Sequence, residues 1–585
     1  MSKIKDKIRE IFGIDYRSLA IFRVGLALLI LFDLYVRSKA LVAHYTDYGV
    51  LPRVELISRF TPPMQFSLHN ISGEPFFQAI LFLIAFIFAL ALLFGYKTRV
   101  VMVISWILLI SLHSRNQFVL QGGDILLRML AFWAMFLPLG GKYSIDSIGK
   151  KKKEGNYLSF GTLGIYLQIA SLYVFSAMFK SGKEWFPEGS AIYYALSIDQ
   201  FVTPIGSFLL GIPFLLKPMT YFVYFFEYLG PFFLFFPLFF GPFRTMMTFA
   251  FIGLHAAMGS SLYLGPFPWI GSLGFLVFLP SWFWNKLEMI TRREEAKNLK
   301  IYYDADCGFC ERSVNFIRTF LILPENSVLP AQKNALIYKE MNEKNSWVIT
   351  DGKGRKYFKS NALAPIFSAS SIFWSFSFIF SISLINKIGD KIYDIIAKRR
   401  SSSCKIIKKE ERKRENKVGV WILNALAIFF IVYIMLWNFY TLGYKVITPE
   451  QERVAHLFRI DQKWNMFSPF PLKEDGWYVI AAKLENDKKI DLVRKGKAID
   501  WDKPKNVALL YEHERWRKYM MNLWDRENAY QRTLYSRYLC IKWNKEHSGD
   551  DRLKEFNIYY MKELTLPDYK KPKVEKVLIH EWKCY

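Results

Sequence analysis

The sequence predicts a polytopic α-helical membrane bundle, followed by a small α/β domain and a C-terminal α+β domain. Hydrophobic residues make up 52% of the 585 residues and aromatic residues 18%, with 53 Phe. These residues are concentrated before about residue 285, whereas most of the charged residues follow it. One further apolar run at 420–442 separates the last part of the chain from the middle. Long runs that avoid charge are typical of segments buried in lipid, so we expect a multi-pass membrane protein.

The membrane bundle is predicted over residues 1–290. A helix needs roughly 20 apolar residues to cross a bilayer, and this length marks eight candidate spans near 18–36, 76–95, 99–113, 124–139, 158–179, 218–240, 244–263 and 267–285. The apolar run at 204–216 is too short for a span and contains Pro and Gly. We expect a half-helix or a re-entrant segment there.

The formal net charge of +27 points to a membrane surface. The Lys and Arg clusters flank apolar runs, and no zinc finger or comparable nucleic-acid motif is present, so we do not expect nucleic-acid binding. Basic loops face the cytoplasm in multi-pass proteins. With a cytoplasmic N-terminus, the basic loops near 96–99, 140–156, 241–244 and 285–300 all lie inside. The segment after residue 290 is then cytoplasmic as well.

Several ionisable residues lie within or beside the predicted spans, where they are costly in lipid. Lys180 either extends to the membrane interface or lines an internal site. His255 is either a packed, hydrogen-bonded residue or a proton-transfer group. Asp124 and Arg128 are four residues apart on one helical face and could pair with each other. Together these side chains indicate a polar pocket inside the bundle, with no metal predicted there.

Three stretches resemble the HTTM superfamily, the membrane fold of vitamin K-dependent gamma-carboxylase and its bacterial relatives. They are FVLQGGDILLRMLAFWAMFLP, YVFSAMFKSGKEWFPEGSAIYYAL and FIGLHAAMGSSLYLGPFPW. The resemblance implies that Lys180 is a catalytic base, that Glu184-Trp185 is its downstream landmark, and that His255 lies in the same site. It also implies a bacterial inner membrane and a quinone resembling vitamin K as cofactor. The residues predicted to bind that cofactor are Lys180, Trp185, His255, Asp124 and Arg128. The carboxylase has a functional His where this chain has Gly123-Asp124, and its large lumenal substrate-binding region is not evident.

The run YYDADCGFC contains two of the five cysteines, Cys307 and Cys310. It lies between a short apolar strand and an amphipathic helix, and strands are predicted to follow at 327–331, 346–350 and 355–360, with a hairpin turn at Asp351-Gly352. This βαβββα order suits a thioredoxin-like fold. At a helix start, the Cys307 thiolate is favoured as the attacking group and Cys310 resolves the mixed disulfide, with Asp304 managing protons. The alternative is half of a zinc site, but no second CxxC or CxxH lies nearby.

The same segment resembles the DCC family of thiol-disulfide oxidoreductase-like proteins, which is named for a DxxCxxC motif. Asp304, Cys307 and Cys310 match that motif, and Ser360-Asn361-Ala362 and residues 390–400 match the later landmarks of the family. The resemblance covers residues 298–405, which we call the CxxC module. It implies exchange of disulfides with a protein or small-thiol partner.

The rest of the chain is predicted to contain one more span. Residues 366–385 are apolar, but a span there would place the basic tract 398–417 outside, so we expect an apolar flap on the membrane. The final span at 418–442 places the tail, residues 443–585, outside. There, strands WYVIAAKL and KKIDLV flank a turn at 485–487. The aromatic segments WNMFSPFP and RWRKY are interpreted as core or membrane-edge anchors. Cys540 and Cys584 either pair or receive oxidising equivalents.

Three functions remain open at this point. The first is a membrane thiol-disulfide oxidoreductase in which the CxxC pair is coupled to a quinone- or lipid-binding bundle. The second is a carboxylase- or epoxidase-like modification enzyme in which Lys180 is the base and the CxxC pair senses redox state. The third is a non-catalytic membrane maturation factor for another protein.

Overall fold

The first half of the chain is a helical bundle. We describe a computed structural model that covers residues 2–150, 153–403, 417–570 and 572–584. The bundle helices are α1 (Ser2–Phe12), α2 (Tyr16–Ser38), α3 (Leu41–Tyr45), α4 (Arg53–Glu55), α5 (Pro75–Phe94), α6 (Thr98–Arg115), α7 (Gly122–Ala134), α8 (Phe160–Phe179), α9 (Ala191–Leu196), α10 (Pro204–Leu210), α11 (Pro213–Phe233), α12 (Phe240–Ser261), α13 (Phe267–Phe275) and α14 (Ser281–Thr291). Two short strands, β1 (Ile14–Asp15) and β2 (Asn156–Tyr157), pair antiparallel and join the start of α2 to the start of α8.

The CxxC module is a four-stranded mixed sheet with helices. Its elements are α15 (Glu294–Asn298), β3 (Lys300–Tyr303), α16 (Gly308–Phe320), β4 (Val328–Pro330), α17 (Ala335–Glu343), β5 (Val348–Thr350), β6 (Lys356–Phe358), α18 (Leu363–Ser368) and α19 (Ser383–Ser403). The strand order is β4-β3-β5-β6, and only the β3–β4 pair is parallel.

The predicted βαβββα order of the module omits one helix. Helix α17 lies between β4 and β5, so the order is βαβαββα. Asn334 caps this helix by accepting a hydrogen bond from the Ile337 amide. Only Ile337 and Met341 are buried on it, and so short an apolar stripe gives a weak helical signal. The apolar stretch 366–385 is broken into the end of α18, a 3₁₀ helix (Trp374–Ser381) and the start of α19. It therefore forms no span-length helix.

The tail follows a long helix, α20 (Lys417–Thr441). Its elements are α21 (Pro449–Phe458), β7 (Glu474–Leu484), β8 (Lys489–Asp491), α22 (Glu514–Trp524), α23 (Ala529–Glu546), β9 (Leu553–Leu564) and β10 (Val574–Lys583). The four strands form an antiparallel sheet in the order β10-β9-β7-β8, and the predicted β7–β8 hairpin is confirmed. A disulfide joins Cys540 on α23 to Cys584, with their Cα atoms 5.7 Å apart.

Among the described residues, five helices are long and apolar enough to cross a membrane: α2, α5, α6, α8 and α20. Two bent pairs bring the total to seven if each counts as one span. In one pair α10 and α11 meet at 108°, and in the other Phe267–Phe278 and α14 meet at 95°. These helices are consistent with a multi-pass membrane protein, and the bend at α10 matches the short segment predicted at 204–216.

Two of the eight predicted spans differ from this set. Helix α7 has only 13 residues, which is about 20 Å and too short to cross the hydrocarbon core alone. Helix α12 has 22 residues, but it carries Arg244 and His255 and is not among the five. Helix α7 is buried over most of its length, whereas α12 buries one face and exposes Met246 and Phe249 on another.

The ends of the bundle helices follow from local sequence. Helix α5 begins with Pro75 and ends at Gly95, which has φ of 69° and accepts the left-handed conformation that stops a helix. Helix α8 begins at Ser159, whose hydroxyl accepts a hydrogen bond from the Thr162 amide in a capping box. Helix α8 ends at its C-cap residue Lys180, whose backbone amide donates to the Ala177 carbonyl.

The tail packs directly on the bundle. A shared hydrophobic core contains bundle loop residues such as Val50, Leu51 and Val119 together with Tyr519 and Ile558 of the tail. Helix α20, which corresponds to the last predicted span, packs against α8 through a second core that also includes Trp464. The first residues of the tail are therefore part of the bundle core.

Candidate functional site

A cavity of about 1210 Å³ lies between the bundle and the tail. We call it the tail-side cavity. Its bundle wall is largely apolar and comes from α8, α11 and α12, with Leu172, Val223 and Leu254 among the lining residues. Its other wall comes from the tail segment 459–472 and from α22. A cavity of this size with apolar walls and a few polar groups is typical of a site for a lipophilic small molecule.

Lys180 lies at the C-terminal end of α8 and lines this cavity. It is 4% exposed, and its Nζ donates hydrogen bonds to Ser176 Oγ at 2.6 Å and to Glu227 Oε2 at 2.6 Å. The ammonium group also lies 5.1 Å from the ring centroid of Trp185. Lys180 therefore points at a carboxylate inside the protein and does not extend to the membrane interface.

His255 lies on α12 and lines the same cavity. It is fully buried, its Nε2 shares a hydrogen bond with the Tyr173 hydroxyl, and its Nδ1 has no hydrogen-bond partner among the described residues. A Cβ at Gly271 would come within 2.1 Å of the His255 ring, so only glycine allows the imidazole this position. One ring nitrogen of His255 is therefore buried without a hydrogen bond among the described residues.

Asp124 and Arg128 do not pair with each other, which corrects the expectation from their spacing. Arg128 lines the cavity and donates to the Arg459 carbonyl at 2.8 Å and to Asp461 Oδ2 at 2.9 Å. Asp124 instead accepts hydrogen bonds from Arg37 and Arg515. Both side chains have partners in the tail, and the spacing of two residues along one helix cannot predict such distant partners. Asp124 therefore belongs to a separate buried network.

That network joins Asp33, Arg37 and Asp124 of the bundle to Arg515 of the tail. Asp33 accepts from Arg37 Nε at 2.7 Å and from Arg515 at 2.6 Å. His113 is adjacent, and its Nε2 lies 3.6 Å from Asp124. The ligand atoms of Asp33, His113 and Asp124 lie within 4.8 Å of one another, which would suit a metal ion. However, two guanidinium groups already balance the two carboxylates, so a divalent cation would leave excess buried charge. We assign the network to docking of the tail.

The tail segment after α21 contributes residues that the sequence analysis missed. The Trp185 indole donates to the Phe467 carbonyl at 3.0 Å, and Lys473 Nζ lies 2.6 Å from Glu184 Oε1. The anchor interpretation of WNMFSPFP is correct for Trp464, which is fully buried in the core, but Phe467 lines the cavity. The position of these tail residues in the sequence, shortly after the last predicted span, was the one signal that could have indicated contact with the bundle.

Charged residues of α22 complete the tail wall of the cavity. Lys518 lines it, and the surrounding protein desolvates this side chain and lowers its pKa. Arg517 also lines the cavity and donates to the carbonyl of Gln200 at 3.2 Å and to that of Tyr263. The predicted anchor segment RWRKY therefore supplies both buried docking contacts and cavity-lining cations.

The second candidate site is the CxxC pair at the start of α16. Cys307 is the N-cap residue of this helix and is 3% exposed, and Cys310 is half-buried in the first turn. Asp304 ends the preceding strand segment, and its Oδ1 accepts from Gln332 Nε2 at 2.7 Å and from the Asp306 amide at 3.1 Å. Asp304 thus orders the loop that carries Cys307. The predicted strand–loop–helix arrangement is confirmed.

The later landmarks of the module have structural contacts. Ser360 Oγ donates to Asp390 Oδ1 at 2.6 Å, and Lys359 Nζ lies 2.8 Å from Asp394 Oδ1. These contacts attach α19 to the sheet. Ser360 and Asp390 therefore stabilise the module, and none of these contacts involves the CxxC loop.

The two candidate sites lie at opposite ends of the bundle. Helix α6 begins at Thr98, which lines a cleft beside the module, and at its other end Ser114 accepts a hydrogen bond from Arg459 of the tail. Its 18 residues span about 27 Å. Phe320 of α16 packs against Phe94 at the same end as Thr98, with ring centroids 6.4 Å apart. Direct contact between the CxxC pair and Lys180 is therefore excluded.

Comparison with known protein families gives two matches. Residues 13–282 match the HTTM domain, and residues 301–405 match the DCC1-like thiol-disulfide oxidoreductase. The fusion predicted from the sequence is thus confirmed, and the two matches support a membrane-associated, thiol-disulfide oxidoreductase-like role. No curated protein and no solved structure matches the chain.

Proposed function

We propose, for a chain that joins an HTTM domain to a DCC1-like domain, a membrane oxidoreductase that exchanges disulfides at Cys307 and Cys310 and binds a lipophilic quinone in the tail-side cavity. The observation that carries this proposal is the convergence of Lys180, Trp185, His255 and Arg128 on one cavity with apolar walls. Arg128, the Lys180–Trp185 segment and His255 come from three separate parts of the sequence, and these residues were predicted to share a site.

The CxxC chemistry depends on the start of α16. Free amide groups at a helix N-terminus favour a thiolate, so Cys307 is the attacking thiol and Cys310, three residues later, resolves the mixed disulfide. The parallel β3–β4 pair and the antiparallel β3–β5–β6 strands, with α16 following β3, support a thioredoxin-like fold for the module.

The cavity has the groups that a quinone requires. Lys180 Nζ can direct a hydrogen at a carbonyl oxygen, and His255 also lines the cavity, while Leu172, Val223 and Leu254 contact an apolar chain. Glu227 holds the Lys180 ammonium group in place. A bound quinone would supply an acceptor of two electrons and two protons, which is the number that a dithiol releases on forming a disulfide.

Because the two sites lie at opposite ends of the bundle, coupling between them cannot be direct. We propose that a carrier soluble in the bilayer connects them. We further propose that the module and the N-terminus face the cytoplasm and that the tail is external. The basic loops at the module end and the Cys540–Cys584 disulfide in the tail support this orientation, since structural disulfides persist in oxidising compartments.

The test of the main proposal is thiol trapping in membranes. Cys307 and Cys310 are alkylated before and after addition of a short-chain quinone, and the modified peptides are mapped by mass. We expect the quinone to shift the pair from the dithiol to the disulfide form. An unchanged redox state at every quinone concentration would contradict the proposal.

The second candidate is a carboxylase-like modification enzyme with Lys180 as the base. The buried Lys180–Glu227 contact in the cavity favours it, because a carboxylate beside the ammonium group offers a route for its proton. In that case Lys180→Met abolishes function and Cys307→Ser leaves most of it. Full function after both substitutions would instead support a non-catalytic maturation factor.

A further inference from the structure

A second cavity, of about 940 Å³, lies at the other end of the bundle, between the bundle and the CxxC module. We call it the module-side cleft. The bundle contributes the start of α6, the loop 137–150 and the end of α14, and the module contributes α15 and the end of α16. Leu137, Leu139, Ile322 and Leu323 form apolar parts of its lining. It is distinct from the tail-side cavity and has no part in the proposed function.

The cleft contains cations that lack carboxylate partners. Arg99 and Lys150 come from the bundle, Arg292 from the connection to the module, and Arg318 from α16. Among the described residues, none of these four side chains forms an ion pair. Most lining carboxylates are already engaged: Asp146 accepts from the Thr98 amide at 2.7 Å, Glu288 pairs with Arg17 at 3.0 Å, and Glu294 pairs with Lys297 at 2.5 Å.

The outer surface of the module shows a different pattern. Three of its cations are paired with acids, Lys356 with Glu340 at 2.5 Å, Arg355 with Asp351 at 2.8 Å, and Lys359 with Asp394 at 2.8 Å, whereas Lys333 and Lys353 are, within the described part of the chain, exposed single cations that do not share a cavity. The cleft thus brings four cations without an ion pair among the described residues, from both the bundle and the module, around one space. This distribution indicates an anion that the cleft accepts from outside the protein.

We propose that the module-side cleft binds the phosphate of an anionic phospholipid headgroup. The cleft lies at the start of α6, which is long and apolar enough to cross a membrane, so a bilayer around this helix would bring lipid headgroups to the level of the cleft. Arginine pairs favour phosphate through bidentate hydrogen bonds, and basic clusters beside spans attract anionic lipids. Because both the bundle and the module provide cations, a bound headgroup attaches the module to the bundle.

The experiment measures lipid binding by the full chain in detergent, using phosphatidylglycerol, phosphatidylcholine and inorganic phosphate as probes. We expect a preference for phosphatidylglycerol. The double variant Arg292→Gln/Arg318→Gln should lower its apparent affinity about tenfold or more. The variant Arg99→Gln/Lys150→Gln, which changes only the bundle wall, should do the same. The control Lys333→Gln/Lys353→Gln removes the same charge from exposed positions outside the cleft and should have no effect.

Three results would overturn the proposal. One is equal binding of the two phospholipids, and another is equal loss of binding in the control variant. The third is inorganic phosphate binding as tightly as phosphatidylglycerol, which would indicate a soluble anion. Thermal unfolding of each variant without lipid shows whether the protein is still folded. If one double variant does not fold, the other still tests the proposal, because the two change different walls of the cleft.

Discussion

The tail-side cavity and the CxxC loop differ in how the sequence builds them. The CxxC site is local, because Asp304, Cys307 and Cys310 lie within seven consecutive residues between a strand and a helix. The cavity is assembled from residues as distant as Gln117 and Asp525, and about a third of its lining residues come from the tail. A local site keeps its geometry when distant parts change, whereas the cavity depends on docking of the tail. The four predictions below test this difference, from the largest expected effect to the smallest.

Substitution Cys307→Ser should abolish disulfide exchange completely, because it removes the attacking thiol. Cys310→Ser should instead leave a mixed disulfide between Cys307 and the partner, since nothing resolves it. Both species are distinguished on non-reducing gels. Quinone binding to the cavity should be unchanged in either variant, because the sites are at opposite ends of the bundle. Exchange that survives in Cys307→Ser would show that the CxxC pair is not the reactive site.

Substitution Lys180→Met should lower the quinone-dependent oxidation of the CxxC pair by on the order of 10²-fold, which is typical for loss of one proton-transfer group. Direct quinone binding, measured by quenching of Trp fluorescence, should weaken as well. Because Glu227 would be left unpaired, the double variant Lys180→Met/Glu227→Gln checks for misfolding. Lys183→Met is the matched control, since Lys183 lies three residues away and its side chain is 70% exposed. If Lys183→Met lowered the oxidation rate as much as Lys180→Met, Lys180 would have no specific role in the reaction.

Substitution Arg515→Met should destabilise the full chain by about 3–5 kcal/mol, because it leaves Asp33 and Asp124 short of a buried cation. The measurement is thermal unfolding in detergent. The control Arg537→Met changes an exposed arginine of the neighbouring helix α23 and should have little effect. If the cavity depends on tail docking, Arg515→Met should also weaken quinone binding while leaving thiol reactivity at Cys307 intact. Unchanged stability would contradict the docking role of the network.

The pH dependence of tail stability should contain a contribution from Asp475. Burial, and then the nearby charge of Asp199, raise the pKa of Asp475 from 3.8 to about 6. The folded tail then binds a proton more tightly than the unfolded chain, so the contribution of Asp475 to stability falls as the pH rises from about 4 to about 6. Asp475→Asn should remove a change of about 2–3 kcal/mol over this range. Denaturant unfolding at several pH values measures it, with exposed Asp550→Asn as control. An identical pH profile in Asp475→Asn would contradict the raised pKa.

The positions of the helices that are long and apolar enough to cross a bilayer were largely predictable. Apolar runs of about 20 residues identify α2, α5, α6, α8 and α20 without reference to the rest of the fold, because lipid imposes the same length on each of them. Helix α7 is enclosed by neighbours, and a protein interior selects apolar residues without imposing that length. Helix α12 is long enough, but its buried face carries Arg244 and His255, which lower its hydropathy. Their predicted spans therefore differ from the structure.

The sequence by itself determined the CxxC loop, the CxxC strand–helix junction and the β7–β8 hairpin, since each depends on residues that are close in the chain. It also placed Lys180 at the end of α8, because Ser159 and the apolar run of α8 set the limits of that helix. Only the tertiary structure decided that Lys180 pairs with Glu227, that Asp124 bonds to Arg37 and Arg515 and not to Arg128, and that Phe467 closes the cavity. These contacts join residues separated by 47 to 391 positions. The periodicity of a local segment does not indicate which distant residue will pair with a buried charge, because tertiary packing decides that pairing.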